Sequence, residues 1–258
     1  MNAAELAHVF TSEPWRRRRT ALIRTTDGPV VVKGQRPARG RWADHVLRAL
    51  SGVLGLPLHN SPVPGGPVSQ DIEVRRLGEL HAAGVRVPRV LHVEREFFVM
   101  EYLPGRNLAG VLSEEPTLPV WEKGLHFILH VHRRGQYLSQ AYARNFIAGP
   151  GVLGAIDFED DPLEVMPLAH AQARDWLMYL HSTLWLLQSE SEARLLPLWK
   201  HFVDAERGAV VEVLVKAARR LGWLRHLPRT RRPWGREVVS VQGVTGFMNA
   251  WARTRSAP

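Results

Sequence analysis

The chain has 258 residues, 45% of them hydrophobic and 23% charged, a globular composition that excludes wholesale disorder, a collagen-like repeat and a coiled coil. Its 34 Lys and Arg against 25 Asp and Glu leave a formal net charge of +9, which favours an anionic partner: nucleic acid, a phosphorylated small molecule or an acidic membrane surface. Cysteine is absent, so disulfide scaffolds, thiolate zinc sites, iron–sulfur clusters and cysteine nucleophiles are excluded together, and any metal must sit on carboxylate, carbonyl or imidazole.

The first element in chain order is a β-hairpin over residues 20–33, with Asp27-Gly28 supplying the positive φ of a tight turn. A basic helical segment follows, then a loop over 55–69 rich in proline and glycine. The pattern predicts a helix over 70–83 that closes at Gly84, and strands over 90–93 and 97–103 before Pro104-Gly105. Beyond that point the chain reads mainly as helix. Trp121, Leu125, Ile128 and Leu129 recur at helical spacing within 120–134, and Gly135 stops the run. One β island, 145–147 and 152–158, is hinged by Gly149-Pro150-Gly151. A long apolar helix over 167–187 and amphipathic segments over 192–223 and 236–252 complete the chain. The expected fold class is α+β, with a small strand-rich lobe, 1–103, ahead of a larger helical lobe, 104–258.

No run approaches the ~18 uninterrupted apolar residues of a membrane span, and Arg16, Arg17, Arg18 and Arg19 follow the N-terminus without a secretory signal's apolar stretch. The expectation is therefore a soluble, cytoplasmic protein. Further arginines cluster at 36, 39 and 41, at 219 and 220, and at 229, 231 and 232. They read either as a solvated basic surface or as a footprint for an acidic partner.

Val-Val-Val-Lys33 on a strand, a glutamate in the next helix and Ile-Asp157-Phe158 after the β island follow the order of a phosphoryl-transfer site. Such a site needs positioned positive charge for the phosphates and an oxygen-rich pair to hold Mg²⁺. Singly, Lys33 is equally a solvent-facing strand-end lysine, Asn145 a turn asparagine and Asp157 a strand-ending carboxylate. Their joint order and spacing carry the reading.

On these residues the chain resembles the protein-kinase-like superfamily, looking closest to its small prokaryotic branches: lipopolysaccharide-core sugar kinases, RIO-type kinases and the kinase subunit of the KEOPS complex. The resemblance spans roughly 20–187. It implies a two-lobed fold that binds ATP and Mg²⁺ between its lobes, with Glu73 the partner of Lys33. Met100 is then the gatekeeper, and Glu101-Tyr102-Leu103 present backbone groups to the adenine ring. His132-Arg-Arg-Gly135 resembles the lead-in to the catalytic loop, Asn145 and Asp157 are implied metal ligands, and Asp175 is implied to pin the loop's backbone.

Three departures stand beside these matches. Gln140 occupies the position of the family's catalytic aspartate, five residues before Asn145, and glutamine cannot accept a proton. No glycine precedes Gly28, so the glycine-rich loop is missing, with Arg16 to Arg19 the only substitute charge in sight. Residues 157–161 hold four carboxylates in five positions, readable as an extra metal ligand, a replacement base or a capping cluster ahead of Pro162.

The resemblance implies an atypical ATP-dependent phosphotransferase acting on an anionic or sugar-containing acceptor such as a lipopolysaccharide core; the arginine clusters suit peripheral association with anionic membrane. The alternative is a pseudokinase, a nucleotide-binding or scaffold module. Nucleic-acid binding would rest on charge alone, since helix-turn-helix, RNA-recognition and zinc-finger signatures are absent. His126 and His130 have metal-compatible spacing without a third ligand and read as a surface or core pair. The tryptophans at 121, 176, 185, 199, 223, 234 and 251 read as core.

Overall fold

The computed structural model describes Val9 and residues 13–36, 65–228, 230, 233 and 235–255. The expected basic helical segment after the hairpin, most of the loop over 55–69, and Arg39, Arg41, Arg229, Arg231, Arg232 and Trp234 lie outside the described residues.

A short helix, α1 (Glu13–Arg18), precedes β1 (Thr20–Thr25) and β2 (Gly28–Gly34). Thr25 pairs with Gly28, so the hairpin turns on Thr26 and Asp27, one residue earlier than expected. Gly28 still supplies the positive φ, 117°, as the first residue of β2. Helix α2 (Gly66–Ala82) begins inside the stretch read as loop, four residues before the expected start. Pro67 is tolerated in a first helical turn, and the Gly65 N–H donates to Ser69 Oγ at 2.9 Å, so the proline and glycine here open a helix. The helix ends one residue before the expected Ala83, and Gly84 follows with φ 73°.

Strands β3 (Val90–Val93) and β4 (Phe97–Glu101) complete an antiparallel sheet in the order β1-β2-β4-β3. β4 stops two residues short of the expected end at Leu103. Its alternation divides the core: Phe97 and Val99 join Trp15, Ile23, Val30 and Val32 on one face, while Phe98 and Met100 join Leu77 and Leu80 of α2 on the other.

A second small sheet unites β5 (Arg106–Asn107), β6 (Phe146–Ala148) and β7 (Gly154–Ala155). It is shorter than the expected island. Asn145 lies in the 3₁₀ turn Ala143–Asn145, and residues 156–158 leave the ladder toward Lys33. Helix α3 (Leu108–Glu114) has no counterpart in the sequence reading, although Asn107 caps it by accepting from the Gly110 N–H at 2.7 Å.

The remaining helices are α4 (Leu118–Arg133), α5 (Leu168–Thr183), α6 (Glu192–Asp204), α7 (Gly208–Leu221) and α8 (Gly235–Thr254). The amphipathic run expected over 192–223 is thus two helices followed by the 3₁₀ turn Gly222–His226. The larger core continues from β4 and α2 into these helices, where Trp121, Trp176, Trp199 and Trp251 are fully buried. Gly124 on α4 lets Tyr179 of α5 approach; a Cβ there would stand 2.2 Å from Oη, which donates to the Trp121 carbonyl at 2.6 Å. Trp185 is only partly buried. Trp223 is 61% exposed, not core, because the helical stripe of α7 ends where the chain tightens to three residues per turn. The protein is mixed α+β, and no helix among the described residues is long and apolar enough to cross a membrane.

Candidate functional site

Lys33, next to the last residue of β2, is buried and points at two carboxylates far away in sequence. Its Nζ donates to Glu73 Oε1 of α2 at 2.7 Å and to Asp157 Oδ1 at 2.8 Å. Asp157 takes φ 73°, a left-handed conformation for a non-glycine residue, and such strain clusters at functional sites. The two carboxylates are pushed in opposite directions. Burial raises Glu73 despite Lys33, whereas for Asp157 burial is outweighed by Lys33, Arg19 and Arg36, which hold it below the usual carboxylate range.

Lys33, Met100, Glu101, Leu103, Asn145 and Asp157 line one cavity of about 380 Å³, whose walls include Val31, Ile147 and Ile156. Its apolar walls and charged end suit a flat ring carrying an anionic tail. The Glu101 N–H is already taken by the Arg89 carbonyl at 2.9 Å.

The segment before Asn145 is held from beneath by α5. Asp175, wholly buried, accepts from the Leu138 N–H at 2.7 Å and meets His132 Nε2 at 3.2 Å. This is the backbone-pinning contact that the resemblance implied for it. Asn145 Nδ2 donates to the Gln140 carbonyl at 3.0 Å, linking two of the expected site residues. Gln140 Nε2 in turn donates to Asp160 Oδ1 at 2.8 Å, which leaves Oε1 as the side chain's acceptor. Arg174 bonds both Asp160 Oδ2, at 3.2 Å, and the Ser139 carbonyl. Burial pushes the Asp160 carboxyl up, with Arg174 and Gln140 opposing.

The acidic run therefore divides. Asp161 is a cap: it accepts from the Leu163 N–H at 3.0 Å, from Tyr137 Oη at 2.5 Å and from Arg75 at 2.5 Å. Glu159 brings a carboxylate oxygen within 4.8 Å of oxygens from Glu73 and Asp157, a spacing a metal ion accepts. Lys33 Nζ already contacts all three, at 2.9, 2.7 and 2.8 Å, so an ammonium supplies their counter-charge. Asn145 and Asp157, a neutral and an acidic oxygen donor, line the same cavity.

His132 carries a pH dependence. Burial alone would lower it, but hydrogen bonds with Asp175 and with Glu206, at 2.5 Å, hold it above its ordinary value. The folded state thus binds this proton more tightly than the unfolded chain. The stabilisation is complete below about pH 6.5 and is lost as pH rises through the folded value. Chemical denaturation across pH 5 to 9 should show unfolding free energy falling on the alkaline side, and His132→Gln should flatten that slope.

His126 and His130 fall on a different cavity, of about 560 Å³, with Arg86, Phe127 and Val152. The His126 ring packs edge-on to Phe202 and His130 Nδ1 meets Arg134 at 3.0 Å, so neither sits in a metal-ligand group among the described residues. Sequence reasoning missed Arg174 and Glu206, and placed Arg36 only in a basic cluster. Arg174 left a signal, a charged residue inside an apolar helix; Glu206 lies 74 positions from His132 and carried none. No protein-family model matches the chain, and no curated protein matches it either.

Proposed function

We propose that the chain is an atypical ATP-dependent phosphotransferase with the two-lobed architecture of the protein-kinase-like superfamily, its lobes divided near residue 103. The observation that supports this most is the convergence of Lys33, Glu101, Leu103, Asn145 and Asp157 on one cavity, with Glu73 bonded to its lysine. Lys33 neutralises phosphate charge, and Glu73 holds Lys33 in place. Backbone groups at 101–103, other than the Glu101 N–H held by Arg89, meet the base. Asn145 and Asp157 would hold Mg²⁺, which when bound neutralises charge on the transferred phosphoryl group. Gln140 Oε1 accepts a hydrogen bond from the acceptor's hydroxyl and so orients it. An anionic or sugar-containing acceptor suits the net charge and the exposed Arg16, Arg17 and Arg18 beside the sheet.

A second reading, a nucleotide-binding module without transfer, is favoured by one observation: the group at position 140 is an amide already bonded to Asp160.

Mg²⁺-ATP at a hundred times its dissociation constant should stabilise the fold by about 2.7 kcal/mol. Asp157→Ala should lose that increment while still melting cooperatively. A melting temperature unmoved by millimolar Mg²⁺-ATP removes the nucleotide reading. Single-turnover transfer then separates the enzyme from the module.

A further inference from the structure

Two arginines stand beside Lys33 where backbone amides of a glycine-rich loop are missing. Arg19 adopts φ 67° just ahead of β1, a conformation an arginine rarely takes. Two bonds to Gly34 keep it there: its carbonyl accepts from the Gly34 N–H at 2.7 Å, and its Nε donates to the Gly34 carbonyl at 3.2 Å. Its side chain lines the 380 Å³ cavity and its guanidinium pairs with Glu159 Oε1. Arg36 Nε lies 3.5 Å from Glu159 Oε2, and Lys33 Nζ lies 2.9 Å from Oε1. Three cations from the two ends of one hairpin thus converge on a single carboxylate.

That carboxylate is poorly seated. Glu159 is 1% exposed, yet neither oxygen forms a hydrogen bond among the described residues; ion-pair contacts alone hold it. Asp160 and Asp161, its neighbours, each accept well-formed hydrogen bonds. A buried carboxylate without hydrogen bonds recovers little of its lost hydration, while three adjacent cations repel one another unless an anion lies between them. Glu73 and Asp157 accept hydrogen bonds from Lys33, whereas Glu159 pairs with all three cations and accepts none.

We infer that Arg19, Lys33 and Arg36 form a polyphosphate cradle in which the Glu159 carboxylate is the resident counter-anion, displaced when a phosphate chain binds. A chain of phosphates offers each guanidinium two oxygens at once. Where that chain belongs to a nucleotide, the inference rests on the function proposed above. The cradle explains how the site handles phosphate without glycine amides, and it makes Glu159 a built-in competitor of its own ligand.

Calorimetric titration of the full chain with sodium tripolyphosphate, in metal-free buffer at fixed ionic strength, tests it. Glu159→Gln should bind at least tenfold more tightly than wild type, and Arg36→Gln at least threefold more weakly. Unchanged or weaker binding by Glu159→Gln overturns the cradle, and weaker binding is what a metal-ligand role for Glu159 predicts in Mg²⁺. If Glu159→Gln does not fold, Arg36→Gln decides, and unaltered affinity there also overturns it. Parallel titrations with Mg²⁺-ATP separate the two proposals. Asp157-dependent ATP binding with no gain from Glu159→Gln leaves the nucleotide reading and removes the cradle; the expected tripolyphosphate pattern without ATP binding does the reverse.

Discussion

Exchanging two side chains, Gln140→Asp together with Asp160→Asn, is expected to raise single-turnover phosphoryl transfer from Mg²⁺-ATP by about 10² to 10⁴ over wild type, the range that general-base catalysis contributes. The exchange is needed because of what Gln140 touches. Its amide donates to Asp160 at 2.8 Å, and Asp160 is buried with its carboxyl already pushed up. Gln140→Asp alone would set two carboxylates where an amide and a carboxylate stood. Like charges that close do not both ionise, so the new group would share a proton with Asp160 and serve poorly as a base. The double variant keeps one charge and one amide but reverses their positions. It withdraws the charge beside Arg174, which retains its bond to the Ser139 carbonyl. A double variant that binds nucleotide and remains silent would assign the chain to the binding-module reading. A wild type faster than the double variant would show that Gln140 is itself the group that positions the acceptor.

Asp175→Ala is expected to cost about 3 to 5 kcal/mol of folding stability, measured by urea denaturation, because it removes one partner from a buried, charge-bearing cluster. The Leu138 N–H and the His132 ring would both lose an acceptor in the interior. Against a total stability of about 5 to 15 kcal/mol, the loss approaches unfolding at physiological temperature. Asp175→Asn retains an oxygen for the Leu138 N–H and should recover a substantial part of it. A loss below about 1 kcal/mol in Asp175→Ala would mean that the segment at 138–145 is held elsewhere.

The strands and the site residues were legible for different reasons. The hairpin and β3 announce themselves through alternation and β4 through an unbroken apolar run, local properties that each strand carries with it. Helix α2 was misplaced by four residues because proline and glycine mark loops and helix starts alike, and only the Ser69 bond to the Gly65 N–H distinguishes them. Helix α3, seven residues long, is too short to display a helical period.

Lys33, Asn145 and Asp157 were singled out by order, spacing and residue type, and the fold brings all three to one cavity. By itself the sequence determined the α+β class, the four strands of the larger sheet and the absence of a carboxylate at position 140. Which acid does what in the run 157–161 was a tertiary decision. Adjacent carboxylates are chemically interchangeable until the fold sets Lys33 and Arg19 against Glu159, Arg174 and Gln140 against Asp160, and Tyr137 and Arg75 against Asp161. Those partners come from as far as 140 positions away, Arg19 from Glu159, and no local pattern encodes them. An ion pair's energy depends on distance and burial, and both exist only once the chain has folded.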